Sequence, residues 1–205
     1  TLDRSSAASD VYKRQILARF GRLNNLTVGL CGDLTYGRTV HSLIETLCRF
    51  GNVHFVLISP DELKTPQYVI DRIIDTPSCT YEETRDLMEV IGKLDVLYMT
   101  RVQEERFTDR EQYLRLRDTY ILTEEKLQKA KSHMPVLHPL PRINEIALDV
   151  DDDPRAAYFE QVKNGMLMRM ALESSVLGDE LCGYEPTDFV NVPEDELRAV
   201  DAHGI

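Results

Sequence analysis

The chain has 205 residues, 42% hydrophobic and 29% charged, an ordinary soluble composition with room for one good domain and not comfortably two. Its formal net charge of −11 excludes general nucleic-acid binding, which needs a positive footprint. No apolar run approaches the length of a membrane span, and the four cysteines (Cys31, Cys48, Cys79, Cys182) form no C-x-x-C pair, so neither a membrane partner nor a metal site is expected and a cytoplasmic location fits.

The opening TLDRSSAASDVYKRQ is polar, rich in small residues and without clear periodicity. Residues 1–15 are therefore read as a disordered or non-native tail, with no apolar centre of a signal peptide. From Leu26 the pattern becomes regular. LTVGLCGDL is a short apolar run bounded by turn residues and predicts a buried strand. TVHSLIETLCRF then sets Val40, Leu43, Ile44, Leu47 and Phe50 at helical spacing, with Gly51 where a helix end wants a left-handed residue. VHFVLIS is a second strand. DELKTPQYVIDRI predicts a helix that Pro66 breaks or restarts. YEETRDLMEVIGKL predicts another helix, and DVLYM a third strand. The stretch 100–120 is polar with helical pieces.

TEEKLQKAK reads as a short helix with Thr123 as its N-cap. PVLH is a fourth strand, running into PLPR. PRAAYFEQVKNGMLMRMALESSVLG predicts a long helix with Pro154 in its first turn, along which Tyr158, Val162, Met166 and Met170 repeat every four residues. Residues 178–205 carry eight acids against one base, Arg198, and read as an acidic tail or linker. The strands alternate with helices and are continuous apolar runs. That pattern means an α/β fold: a doubly wound, Rossmann-like parallel sheet covered on both faces, over residues 16–153, with a long C-terminal helix at 154–177.

In an open parallel sheet, ligands bind beyond the carboxyl ends of the strands. Three of those ends carry unusual loops: Asp33 to Thr39 with Arg38; Thr100, Arg101, Val102 and Gln103; and Pro139, Leu140, Pro141 and Arg142. An arginine fork holds a carboxylate through two parallel charge-assisted hydrogen bonds, so Arg38 and Arg101 facing one cleft would suit a small dicarboxylate. Arg38 at a helix start sits against the partial positive charge of that end, which favours a ligand role. Gln103 adds a neutral donor and acceptor. Pro139 and Pro141 would fix the carbonyls between them toward an amine or amide.

Glu105, four residues after Arg101, would steady its guanidinium, and His138 would support the proline turn. Arg142 has a plainer reading, pairing with Glu145 or another acid nearby. His41 has one too, as a packed polar residue. No nucleophile with its base is present, so no catalytic residue is assigned and no cofactor is called for. Such a site binds, orients and stabilises charge.

GDLTYGRTVHSL, LYMTRVQEERF, HPLPRINEIA and DPRAAYFEQVKNGMLMRMAL resemble consecutive motifs of the aspartate carbamoyltransferases, from about Ile16 to about Leu172. The related ornithine enzymes carry a His-Cys-Leu-Pro turn where this chain has His138-Pro139-Leu140-Pro141-Arg142. The resemblance implies transfer of the carbamoyl group from carbamoyl phosphate to L-aspartate, in pyrimidine biosynthesis. By motif it assigns Arg38, Thr39, Arg101 and Gln103 to aspartate. It assigns Leu140 and Pro141, with Pro139 beside them, to the carbamoyl phosphate side.

The family's phosphate-binding half, with its Ser-Thr-Arg-Thr-Arg motif, does not occur in these 205 residues. Nor does the serine and lysine loop that a neighbouring subunit lends. The resemblance therefore implies the aspartate-binding half plus the helix that returns to the other half, exposing an apolar stripe. It also implies negligible activity of the 205 residues alone. The family's homotrimers, with possible regulatory chains, are partners of the full-length enzyme. Two rival readings remain open: a carbamoyltransferase for another amino acid, and a non-catalytic amino-acid-binding or regulatory module.

Overall fold

The computed structural model describes residues 7–104, 107 and 109–177. The apolar runs at Leu26–Cys31 (β1), Val53–Ile58 (β2) and Val96–Met99 (β4) form the centre of the sheet, buried along nearly their whole length. Thr80–Thr84 (β3) and Val136–Leu137 (β5) complete it. The five strands lie in the order β3-β2-β1-β4-β5, and every pairing is parallel. The strand order reverses between β1 and β4. A parallel sheet with both faces covered explains why the strands read as unbroken apolar runs. The expected fold is thus the one observed.

The helices in chain order are Ala7–Phe20 (α1), Arg38–Cys48 (α2), Gln67–Ile74 (α3), Leu87–Val90 (α4), Arg110–Leu116 (α5), Glu124–Leu127 (α6) and Tyr158–Leu177 (α7). One face of the sheet packs against α1, α2 and α3 through Val28, Leu30, Val40, Leu43, Leu47, Val69 and Ile73. The other packs against α4, α6 and the start of α7 through Val56, Leu97, Leu87, Leu127 and Tyr158. Gly51 closes α2 at φ 68°, the left-handed turn expected there. Pro66 restarts the chain as the N-cap of α3, and the Thr123 hydroxyl caps α6 by accepting from Lys126 N.

Four expectations need correction. Residues 81–84 are not helical: they belong to β3, and only the shorter α4 follows. Thr80, Tyr81 and Glu83 are exposed, so this rim strand lacks the apolar run that marks a buried one. The long C-terminal helix starts four residues past Pro154, because Val136 pairs with Ala156 in a β-bridge before α7 begins.

The opening is not structureless from Ala7 onward. Tyr12, Gln15 and Ile16 fall at i, i+3 and i+4, and all three are buried. The Tyr12 ring meets Tyr98 edge-on at 4.9 Å, and Gln15 Nε2 donates to Ala157 O at 2.6 Å. Last, Tyr158 does not share the stripe of α7 but is buried. Phe159, Val162, Met166 and Met170 are the exposed set, each at least half exposed. Residues 1–6, Glu105 and the acidic stretch 178–205 lie outside the described residues.

Candidate functional site

The site forms where the sheet's winding reverses, so that the loops after β1 and β4 open away from each other. Gly32 sets their approach. It ends β1 at φ 119°, and a Cβ there would lie 2.1 Å from the Thr100 carbonyl oxygen. Only glycine fits. The next residue, Asp33, is fully buried and accepts from Tyr36 N at 2.9 Å. Burial pushes its carboxyl pKa up, against backbone N–H groups of Tyr36, Gln103 and Thr35 that favour the ionised form. Asp33 thereby faces both the loop leading to Arg38 and the loop carrying Gln103.

Beyond these loops lies a cavity of about 230 Å³ lined by Tyr36, Gly37, Arg38, Thr39, Thr100, Arg101, Gln103, Pro139, Leu140 and Pro141. It brings together seven residues singled out in the sequence: Arg38, Thr39, Arg101, Gln103, Pro139, Leu140 and Pro141. Tyr36 and Gly37 were not expected on its wall. Their signal was their place inside the loop immediately before Arg38.

Arg38 is the first residue of α2, at the positive end of that helix. Thr39 is held from below, because the buried Tyr98 hydroxyl donates to its Oγ1 at 2.7 Å. His41 stands behind the wall as a packed polar residue. Its Nε2 donates to Leu34 O at 2.8 Å and its Nδ1 accepts from the Tyr68 hydroxyl at 2.9 Å.

The third wall is the turn after β5. Leu140 has φ 48° and precedes a cis peptide bond to Pro141. A bulky residue occupies that left-handed region only when its surroundings hold it there. The Leu140 amide donates to His138 Nδ1 at 2.9 Å. His138 is fully buried, and its Nε2 lies 2.7 Å from Glu145 Oε1. Glu145 Oε2 accepts from Ile143 N and Asn144 N, both at 3.1 Å. Burial alone would raise the Glu145 pKa, but His138 and the backbone N–H groups of Glu145 itself and Ile143 outweigh it and hold the carboxyl below its usual range.

Arg142 does not line the cavity. It forms a bidentate pair with Asp151, rather than with Glu145, and stacks over the Tyr158 ring at 5.6 Å. The Tyr158 hydroxyl donates to Asp151 Oδ1 at 2.6 Å. The turn is therefore anchored to the first residue of α7.

A doubly wound α/β domain that gathers two arginines and a proline turn around one crevice can offer guanidinium forks to a small anion. Residues 24–176 match the aspartate/ornithine carbamoyltransferase, Asp/Orn binding domain, and the chain belongs to that family. It is 81% identical over 169 residues to the aspartate carbamoyltransferase catalytic subunit of Bifidobacterium longum strain DJO10A, covering 82% of this chain and 53% of the relative. Against the Clostridium acetobutylicum catalytic subunit it is 57% identical over 157 residues, covering 77% and 51%.

Among solved structures, the catalytic subunit of M. jannaschii aspartate transcarbamoylase aligns with TM-score 0.77 at 36% identity, covering 84% of this chain and 57% of that one. Trypanosoma cruzi aspartate transcarbamoylase in complex with carbamoyl phosphate and aspartate aligns with TM-score 0.74 at 38% identity, covering 80% and 54%. The chain spans about half the length of the curated relatives it matches.

Proposed function

We propose that this chain supplies the aspartate-binding half of an aspartate carbamoyltransferase. The observation that carries the reading is the single cavity that Arg38, Arg101, Gln103 and the Pro139–Pro141 turn share. At about 230 Å³ it falls below the ~300–1,000 Å³ of pockets for drug-sized ligands, and so suits a small amino acid.

In this reading the Arg38 and Arg101 guanidinium groups grip the two carboxylates of L-aspartate, and Thr39 and Gln103 complete the grip. The dicarboxylate then presents its α-amine to the carbamoyl carbon. The amine nitrogen bonds to that carbon, giving a tetrahedral intermediate. The C–O bond to phosphate breaks with its electron pair going to the oxygen, the amine's proton passes to the departing phosphate, and hydrogen phosphate leaves. The backbone of Leu140 and Pro141, with Pro139 beside them, faces the carbamoyl side. The site's contribution is orientation and charge stabilisation, since the attacking group comes from the substrate.

Carbamoyl phosphate binding belongs to the family's other half. That half would also cover Phe159, Val162, Met166 and Met170 on α7, and carry the trimer contacts and any regulatory partners. The free buried thiols at Cys31, Cys48 and Cys79 support a cytoplasmic setting. Among the described residues, no helix is long and apolar enough to cross a membrane.

Two measurements test this. Calorimetric titration of the chain with succinate and with ornithine should show binding of succinate alone. Joining the chain to the first half of the Bifidobacterium longum relative should yield carbamoylaspartate, and the 205 residues alone should yield none. Binding of ornithine in preference to succinate would overturn the aspartate assignment. A joined enzyme that folds and stays inactive would favour the binding-module alternative.

A further inference from the structure

We propose that His138 and Glu145 form a buried positioning relay that sets the Leu140 backbone for the carbamoyl group. This rests on the functional reading above, which puts the turn on the carbamoyl side.

The hydrogen-bond chemistry fixes the direction of the relay. A backbone amide can only donate, so His138 Nδ1 must present its lone pair to Leu140 N. The ring proton then sits on Nε2 and points at Glu145 Oε1. The Glu145 carboxylate receives donors on both oxygens, from His138 on one side and from Ile143 and Asn144 on the other. An acceptor-only, ionised carboxylate is the form that satisfies all three.

Glu145 is itself tethered. Its carbonyl oxygen accepts from Leu122 N at 2.9 Å, and Ala147 N returns a bond to Leu122 O at 2.9 Å. The parallel bridge between Leu122 and Ile146 locks this segment to the interior of the domain. Both side chains of the relay are out of solvent, so neither acts as an acid or base on bulk water. Leu140 borders the cavity and holds φ 48°, and the relay supplies the partner for its amide in that conformation. Pro139 and Pro141 have no N–H, which leaves Leu140 N as the one backbone donor of the three-residue turn. His138 and Glu145 are positioning residues: neither lines the cavity.

The test separates this role from ordinary packing by using two ligands. Succinate engages the arginine side alone, whereas N-carbamoyl-L-aspartate adds the ureido group that the turn would meet. His138→Asn keeps an acceptor at the Nδ1 position. His138→Gln keeps a donor at the Nε2 position and loses that acceptor. Both variants and the parent 205-residue chain are titrated calorimetrically with both ligands, and the parent is examined by long-range ¹⁵N–¹H correlation of the His138 ring.

His138→Gln should weaken carbamoylaspartate about tenfold and leave succinate within about twofold, the effect of one misplaced hydrogen-bonding unit. His138→Asn should recover most of the loss. The parent ring should show a protonated Nε2 and an unprotonated Nδ1. Equal losses for both ligands, or equal behaviour of the two variants, would overturn the relay. Should His138→Gln fail to fold, a protonated Nδ1 in the parent overturns it, and the unprotonated form together with full binding by His138→Asn supports it. Failure of the parent to bind either ligand would instead count against the functional reading.

Discussion

Two pairs of arginines divide the molecule. Arg142 and Arg155, around the end of β5, are each clamped by an acid close by in sequence, Asp151 and Asp153. Arg38 and Arg101, at the ends of β1 and β4, border the cavity. The residue type is the same and the work differs. Arg142 and Arg155 are each satisfied by an acid of their own segment and stiffen it. Arg38 and Arg101 stand at the mouths of parallel strands, Arg38 also on a helix end that already repels cations, where an anion from outside can meet them.

The sharpest way to break this contrast is to remove one member of each pair. Arg101→Ala and Arg38→Ala should each weaken succinate about 100-fold, the worth of a bidentate charge-assisted pair at roughly 3 kcal/mol, while the urea midpoint stays nearly fixed. A calorimetric titration beside a urea curve reads both. Arg142→Ala should do the reverse. Leaving Asp151 without its guanidinium, and the Tyr158 ring uncovered, should cost about 2 kcal/mol in urea and change succinate affinity far less.

Acid should act on the clamped pair and its neighbours. Hydrogen bonds from Arg142 and Arg155 hold the Asp151 and Asp153 carboxyls below their usual range, and Glu145 is depressed despite its burial. A folded-state pKa below the unfolded one gives stability that is fully present above the ordinary carboxylate range. That stability is lost as the pH falls below about 4. The urea midpoint should therefore drop over that interval, and drop less in Arg142→Ala. The smallest effect belongs to the outer surface. Arg115→Ala removes an exposed pair with Glu62 and should leave the midpoint unmoved within error.

Much of this was legible in the sequence, for identifiable reasons. β1, β2 and β4 show themselves because a strand covered on both faces is apolar throughout, and α2 because its buried residues recur at helical spacing. The loops at the strand ends showed the cavity's arginines, because topology leaves nowhere else for a ligand. β3 stayed hidden because TYEET is exposed at the sheet's rim and its acids resemble the start of a helix. Asp33 and Glu145 stayed hidden because a buried carboxylate has no local pattern. Each is explained by donors that the folded turn aims back at it, Tyr36 N at Asp33, and Ile143 N, Asn144 N and the His138 ring at Glu145. The plain reading of Arg142 holds, since it pairs with an acid nearby, but which acid depends on how the chain turns between residues 142 and 151.

Among the described residues the sheet has five strands, and each rim is shut in its own way. On one side β5 is two residues long, and its outer edge is already bonded by Arg155 and Ala157. On the other, β3 carries Glu82 and Glu83, with Lys93 and His54 drawn to Glu82. Charge at a rim discourages a neighbour's backbone from zipping onto it. Concentrated solutions of the chain should therefore cluster through the greasy side of α7, and the clusters should lack the cross-β signature in X-ray scattering.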